Sequence, residues 1–261
     1  MGGFLLSLFV VAFFAFMLAP IVVVVVISFT SAGYAAFPIP GWSLRWFYRI
    51  WEYPPFVDAM ITSVQVAVLA TVLSCVLAIP AALYLTRARS GWADGVTTFL
   101  LSPLSVPMIV IGFSSLFFLT WIGIGISFTA LVITHTVACL PYVLRTVTAV
   151  HRAVPPAYEE AAAILGAGRW ATFREVTLPL IRPGIAAGAL FSFLTSFDNL
   201  PISFFFGSAQ TNTLPVVMLS YIENQFDPSI AALSTLQLLL AVICLLAADR
   251  IYGIEKMTVA A

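Results

Sequence analysis

Charge is what this sequence has least of. Asp, Glu, Lys and Arg together make up 8% of its 261 residues, against about 25% in a typical soluble domain. With 62% hydrophobic residues, there is too little polar surface to keep the chain in water, so its solvent is lipid. The basic and acidic residues cancel to a formal net charge of zero, and no global field points to nucleic acid. Lysine is reduced to Lys256, which Met257 follows. A phosphate-binding loop needs Gly-x-x-x-x-Gly-Lys-Ser/Thr, so nucleotide hydrolysis by this chain is excluded. The three cysteines, Cys75, Cys139 and Cys244, lie far apart in apolar segments and read as small buried hydrophobes rather than a disulfide or metal set. His135 and His151 stand at no familiar ligand spacing from them. Neither His-Glu-x-x-His nor Gly-x-Ser-x-Gly occurs, which leaves an intramembrane enzyme without its machinery.

What is present is long apolar runs. A membrane helix needs roughly 20 mostly apolar residues, and six segments qualify: about Phe4–Phe29, Ala59–Leu85, Val96–Trp121, Ile126–Val150, Gly184–Phe206 and Ile230–Ala248. The first has no charge and no basic start, so it reads as a retained helix and not a signal peptide. Pro103 and Pro107 fall near the start of the third, and Gly123 and Gly125 form a turn into the fourth. No long internal repeat and no appended soluble domain is visible; residues 1–261 read as a single transmembrane domain.

Arginine placement orients the spans. Arg87 and Arg89 follow the second; Arg145, Arg152, Arg169, Arg174 and Arg182 end the fourth or precede the fifth; Arg250 and Lys256 follow the sixth. Only Arg45 and Arg49 fall on the other side. The positive-inside rule then places both termini in the cytoplasm. Ser31–Val57, rich in Pro and Trp, and the loop with Glu223 and Asp227 face outward.

The longest inside loop, roughly His151–Arg182, reads HRAVPPAYEEAAAILGAGRWATFREVTLPLIR. Pro155 and Pro156 suit a helix start, where N–H groups have no internal partner. Glu159 and Glu160 follow in the first turns, where the positive helix end favours carboxylates. Ala161, Ala162 and Ala163 are strong helix formers of little bulk, and Gly166 fits a C-terminal cap. A second short helix is expected over Arg169–Val176, stopped before Pro179. Such a small preformed helix suits either insertion into a groove on another protein or an interfacial position on lipid.

Glu160-Ala161-Ala162, three residues, Gly166, nine residues, then Val176-Thr177-Leu178-Pro179 resembles the EAA loop of ABC importer permeases. The family pattern is Glu-Ala-Ala, three, Gly, nine, Ile, one, Leu-Pro; Val176 in place of Ile is the one departure. The resemblance implies an all-α membrane protein with the MetI-like fold of type I importers, its core at about residues 58–250 and one helix added in front. It implies an inner-membrane permease subunit whose Glu159, Glu160, Ala161, Ala162, Gly166, Leu178 and Pro179 couple it to separate ATP-binding cassette subunits. Those subunits would bind ATP and Mg, this chain carrying no cofactor and no catalytic or metal site of its own. A second permease chain and an extracytoplasmic solute-binding protein complete the implied set of partners, with the lipid bilayer and no nucleic acid.

Ser196-Phe197-Asp198-Asn199, Pro155 to Ala162, and Asp227-Pro228 with Ala231 to Thr235 are similar to the spermidine/putrescine permeases of the PotC kind. Asn199 departs from their acidic pattern. A polyamine or related small amine is the implied solute; an opine, thiamine or ferric ion is the alternative within the family. A secondary transporter coupled to an ion gradient would show inverted repeats and several membrane carboxylates, and would leave the EAA loop unexplained.

Asp198 is expected well inside the fifth span, where a carboxylate costs about 3 kcal/mol or more. It would contact a cationic solute, or hydrogen-bond to Ser196, Asn199 or Ser203. Asn199 and His135 share the candidate pathway. For His135, as for Gln65, an interhelical hydrogen bond is the competing role. Gly184 and Gly188 suit close helix packing, within the chain or across a permease dimer. The run Phe204-Phe205-Phe206 would gate the path or meet lipid.

Overall fold

The structure, a computed structural model, describes residues 2–88, 91–208 and 211–252; Arg89 and Lys256, used above for orientation, lie outside the described residues. Among those residues every regular element is a helix, apart from one isolated bridge between Thr30 and Trp42. Among the described residues five helices are long and apolar enough to cross a membrane, and six if one bent pair counts as a single span. This agrees with the six runs read from the sequence.

The chain divides into two compact units, Met1–Asp58 with Val217–Val242, and Ala59–Val216 with Ile243–Ala261. The first unit opens with α1 (Gly2–Ser28), whose most apolar stretch is not buried at all. After it comes α2 (Arg45–Glu52), an amphipathic helix inside the segment Ser31–Val57, which hydropathy alone does not reveal. Its Trp46 and Ile50 are buried, and Trp46 Nε1 donates to the Thr30 carbonyl at 2.9 Å.

The second unit has an apolar core of its own. It is built on α3 (Pro54–Arg87) from Ala59 onward, α4 (Gly91–Leu101), α5 (Met108–Trp121) and α6 (Phe128–Ala153). The third apolar run is not one straight helix. A 3-10 turn at Ser102–Ser105 and a 106° bend separate α4 from α5. Val106 precedes Pro107 and is extended, at φ −95° and ψ 131°, because the proline ring excludes the helical conformation from the residue before it.

After α7 (Ala157–Ile164) the chain forms α8 (Arg169–Thr172), a π turn at Phe173–Thr177, and α9 (Leu178–Phe197). Together they make one helix, Arg169–Phe197, so the expected stop before Pro179 does not occur. Arg174 and Arg182 therefore lie in this helix and not in a loop. Pro179 has no N–H for the residue four back, and its ring crowds that carbonyl; widening the preceding turn to a π turn accommodates it.

The fifth run is also shorter than read. α9 ends at Phe197, and α10 (Leu200–Ser203) restarts the chain after Asp198 and Asn199. A 3-10 turn, Phe204–Phe206, completes the segment. Phe206 is fully buried and Phe205 packs on Phe113, while Phe204 is exposed. α11 (Leu214–Asn224) and α12 (Ser229–Tyr252) follow. α11 was not expected from hydropathy.

α6 and α9 form the tightest seam of this unit. A Cβ on Gly188 would stand 2.7 Å from Val143 Cα, and one on Gly184 3.0 Å from the Thr146 carbonyl. The small faces of these glycines are therefore used within the chain. Ser74 on α3 donates to the Thr136 carbonyl on α6 at 3.3 Å.

Candidate functional site

The EAA segment is the polar centre of the second unit's loop region. Pro155 and Pro156 lead into α7, and the Pro155 and Pro156 carbonyls accept the first N–H groups of the helix. At the other end Gly166 has φ +88°. Ala167 N–H donates to the Ala162 carbonyl and Gly166 N–H to that of Ala163, both at 3.0 Å. This pair of bonds is a Schellman closure, which needs a left-handed residue and so favours glycine.

One side of α7 and the turn after it is unsupported. Ile164 and Leu165 are 86% and 88% exposed, and Tyr158 and Trp170 are exposed as well. The Glu160 carboxylate is on the exposed surface with no hydrogen-bond or ionic partner among the described residues. Ala161 is exposed too, and Ala162 half-buried.

Glu159, one residue earlier, points the other way. Thr177 Oγ1 in the π turn donates to its Oε1 at 3.0 Å, and His151 Nε2 on α6 lies 3.4 Å from the same oxygen. Arg87 Nε, at the end of α3, stands 3.5 Å from Oε2, an ion pair rather than a hydrogen bond. Arg87 also donates through Nη2 to the Val154 carbonyl at 3.3 Å. His151 Nδ1 in turn meets the Thr86 hydroxyl. Burial disfavours the charged form of Glu159, but the hydrogen bonds from Thr177 and His151 and the field of Arg87 outweigh it, so its pKa lies below the ordinary 4.5. A cavity of about 370 Å³ opens beneath α7, lined in part by Arg87, Glu159, Arg169 and Phe173.

Sequence reading found the carboxylate but not its partners. The signal that could have found them is weak: Arg87 and His151 both end helices assigned to the same side, and Thr177 lies within the motif. Leu178 and Pro179 begin α9, Leu178 half-buried and Pro179 exposed.

The pathway candidates separate. His135 is fully buried in α6; Nδ1 stands 2.8 Å from Ser196 Oγ and Nε2 3.2 Å from Ser203 Oγ. It thus makes the interhelical bonds named as its competing role. Gln65, by contrast, is exposed. Asn199 is 5% exposed, and its Oδ1 accepts the Ile202 N–H at 3.0 Å, capping α10. Asp198 is not inside a helix as expected but at the C-terminal end of α9. Its carboxylate is exposed and has no hydrogen-bond or ionic partner among the described residues. The expected bonds to Ser196, Asn199 or Ser203 are absent there; the two serines meet His135, and the Asn199 oxygen accepts from Ile202.

Comparison with known proteins places this arrangement. Residues 76–254 match the family described as "Binding-protein-dependent transport system inner membrane component". The spermidine/putrescine transport system permease protein PotC of Haemophilus influenzae is 29% identical over 91% of this chain and 92% of its own length. The putrescine transport system permease protein PotI of Escherichia coli K12 is 30% identical over 85% and 82%. Among solved structures, a bacterial ABC transporter involved in import of the acidic polysaccharide alginate superposes with a TM-score of 0.73 at 16% identity, covering 96% of this chain and 94% of its own. The MetNI methionine ABC transporter gives 0.62 at 20% identity over 76% and 94%. At such identities these two establish the fold alone, and it is the MetI-like fold expected from the EAA resemblance.

Proposed function

This chain belongs to the family of inner membrane components of binding-protein-dependent transport systems, and from that premise we propose that it is the membrane half of a polyamine importer driven by a separate ATPase. The permease role in an ABC importer follows from the family. The solute and the partner contacts are the proposal. The observation that carries the coupling is the exposed ridge of α7, with Ile164 and Leu165 almost bare beside a Glu160 that has no partner among the described residues. Apolar side chains this exposed outside the membrane spans mark a binding surface.

On this reading α7 seats in a groove of an ATP-binding cassette subunit, with Glu160, Ala161, Ala162 and Gly166 at the contact and Leu178 and Pro179 beginning the membrane helix behind it. ATP and Mg are bound there and not by this chain. The inside-facing arginines orient α7 and both termini to the cytoplasm. A sister permease lines the other half of the path, and an external binding protein delivers the solute. The likeness to the PotC and PotI proteins supports a polyamine. Asn199 does not weigh against it, because that side chain caps a helix. Asp198 is the carboxylate left to meet a cation; Asn199 follows it in the chain, and His135 joins the pathway candidates from α6.

The test is reconstitution of the complete importer in liposomes. ATP-dependent uptake of labelled spermidine or putrescine, abolished when the ATPase subunit is omitted, is the expected result. Uptake of an opine, thiamine or ferric ion in place of either amine would overturn the solute; gradient-driven uptake without ATP would overturn the coupling.

A further inference from the structure

We propose that the two adjacent glutamates of the coupling segment have separate roles: Glu160 faces the partner, while Glu159 is a positioning residue that ties α7 to the ends of α3 and α6. The inference rests on the reading that α7 docks on an ATPase, and it concerns what happens on the near side of that contact. A docked helix transmits displacement only if it is braced against something that moves with it. α7 is two turns long, and its described surface carries no buried residue. Its packing alone is a poor brace.

Glu159 supplies the missing connection. Its two oxygens reach three elements: Arg87 at the end of α3, His151 near the end of α6, and Thr177 in the π turn that leads into α9. Arg87 closes the circuit by donating to the carbonyl of Val154, the residue that caps the C-terminal end of α6. A push on α7 is therefore passed to three membrane helices through one carboxylate. The side chains of Glu159 and Arg87 are 28% and 30% exposed, so the pair is shielded enough to persist and open enough to shift. The cavity of about 370 Å³ under α7 leaves room for that shift. The neighbouring carboxylate, one residue on, has no partner among the described residues and is left for the other protein.

The experiment uses the complete importer and three readouts: retention of the ATPase subunits on purification, the Tm of the complex, and solute transported per ATP hydrolysed. Glu159→Gln and Thr177→Val are expected to keep the ATPase subunits, to lower the Tm by at most a few degrees, and to lower transport per ATP by about fivefold or more. Arg87→Gln combined with Glu159→Gln should be no worse than Glu159→Gln alone, because both remove one circuit. Wild-type transport per ATP in Glu159→Gln would overturn the proposal. So would losses that multiply in the double variant, or a loss of coupling that tracks loss of the ATPase subunits. Glu160→Ala and Leu165→Asp serve as the separate check on docking. If both retain the ATPase normally, the docking reading itself fails; if they shed it while Glu159→Gln is fully coupled, only the positioning role fails.

Discussion

Cys139 and Ser192 exchange hydrogen bonds across the α6–α9 seam: the thiol donates to the Ser192 carbonyl at 3.3 Å, and the Ser192 hydroxyl donates to the Cys139 carbonyl at 3.1 Å. Both residues are buried. Such a reciprocal pair requires the two backbones to lie close, and Gly188, one turn from Ser192, is what permits it. Gly188→Ala is therefore expected to destabilise the folded permease by about 1–3 kcal/mol, since its Cβ would press on the Val143 backbone and on Thr146. Thermal unfolding of the detergent-solubilised protein reads this directly. An unchanged Tm would mean that the seam opens without penalty.

Gly166 makes a gentler test. A Cβ there meets nothing within 4 Å, so the cost of Gly166→Ala is that of the left-handed backbone alone, about 1–2 kcal/mol. Gly166→Asn should cost less, because asparagine tolerates that conformation. Retention of the ATPase subunits should rank Gly, Asn, Ala, and the reverse order for the last two would contradict the cap.

His135→Leu should lower the Tm by several degrees and leave the ranking of solutes untouched. It removes the imidazole that Ser196 and Ser203 share as a hydrogen-bond partner in a buried site, at about 1–3 kcal/mol for groups left unsatisfied. A changed preference between spermidine and putrescine, with the Tm intact, would instead make His135 a solute contact.

Asp198→Asn and Asp198→Leu are both expected to assemble normally, because the carboxylate has no partner among the described residues to lose. Both should reduce uptake of a cationic solute, by about tenfold for a lost contact of 1.4 kcal/mol. Failure of the Leu variant to assemble would point to a role in packing that the structure does not contain.

The charge on Glu159 is expected to persist under mild acid. Its pKa is depressed below 4.5, so its contribution is complete above that value and is lost as pH falls through the lower folded value. The Tm difference between wild type and Glu159→Ala should thus be flat from about pH 8 to about pH 5 and shrink only below that. A difference that fades nearer neutrality would mean that His151, not Glu159, controls the network.

The spans were legible because lipid leaves hydropathy as the dominant signal, and the coupling helix because prolines, carboxylates, alanines and a glycine mark its start, body and end in order. The breaks were harder. Asp198 and Asn199 sit inside an unbroken apolar run, and only Asn199 followed two residues later by Pro201 hints that a helix restarts there. Val106 lies between two prolines whose effect is local and is averaged out by any window long enough to detect a span. α2 is too short and too mixed to stand out, although Trp46 and Ile50 at a spacing of four carry its buried face. The partners of Glu159 come from three other elements, and no pattern along one strand of sequence encodes such a meeting.

The two ends of α7 are both fixed, by prolines before it and by the Schellman turn at Gly166 after it. An eight-residue helix at 1.5 Å per residue is about 12 Å long, and neither end can fray or extend to change that. The segment is therefore a gauge as well as a plug. Any protein that receives it must offer a recess of matching length, and a change of even one residue in the spacing from Glu160 to Gly166 would rotate the far end by about 100° relative to the near one. An insertion here would present the wrong face.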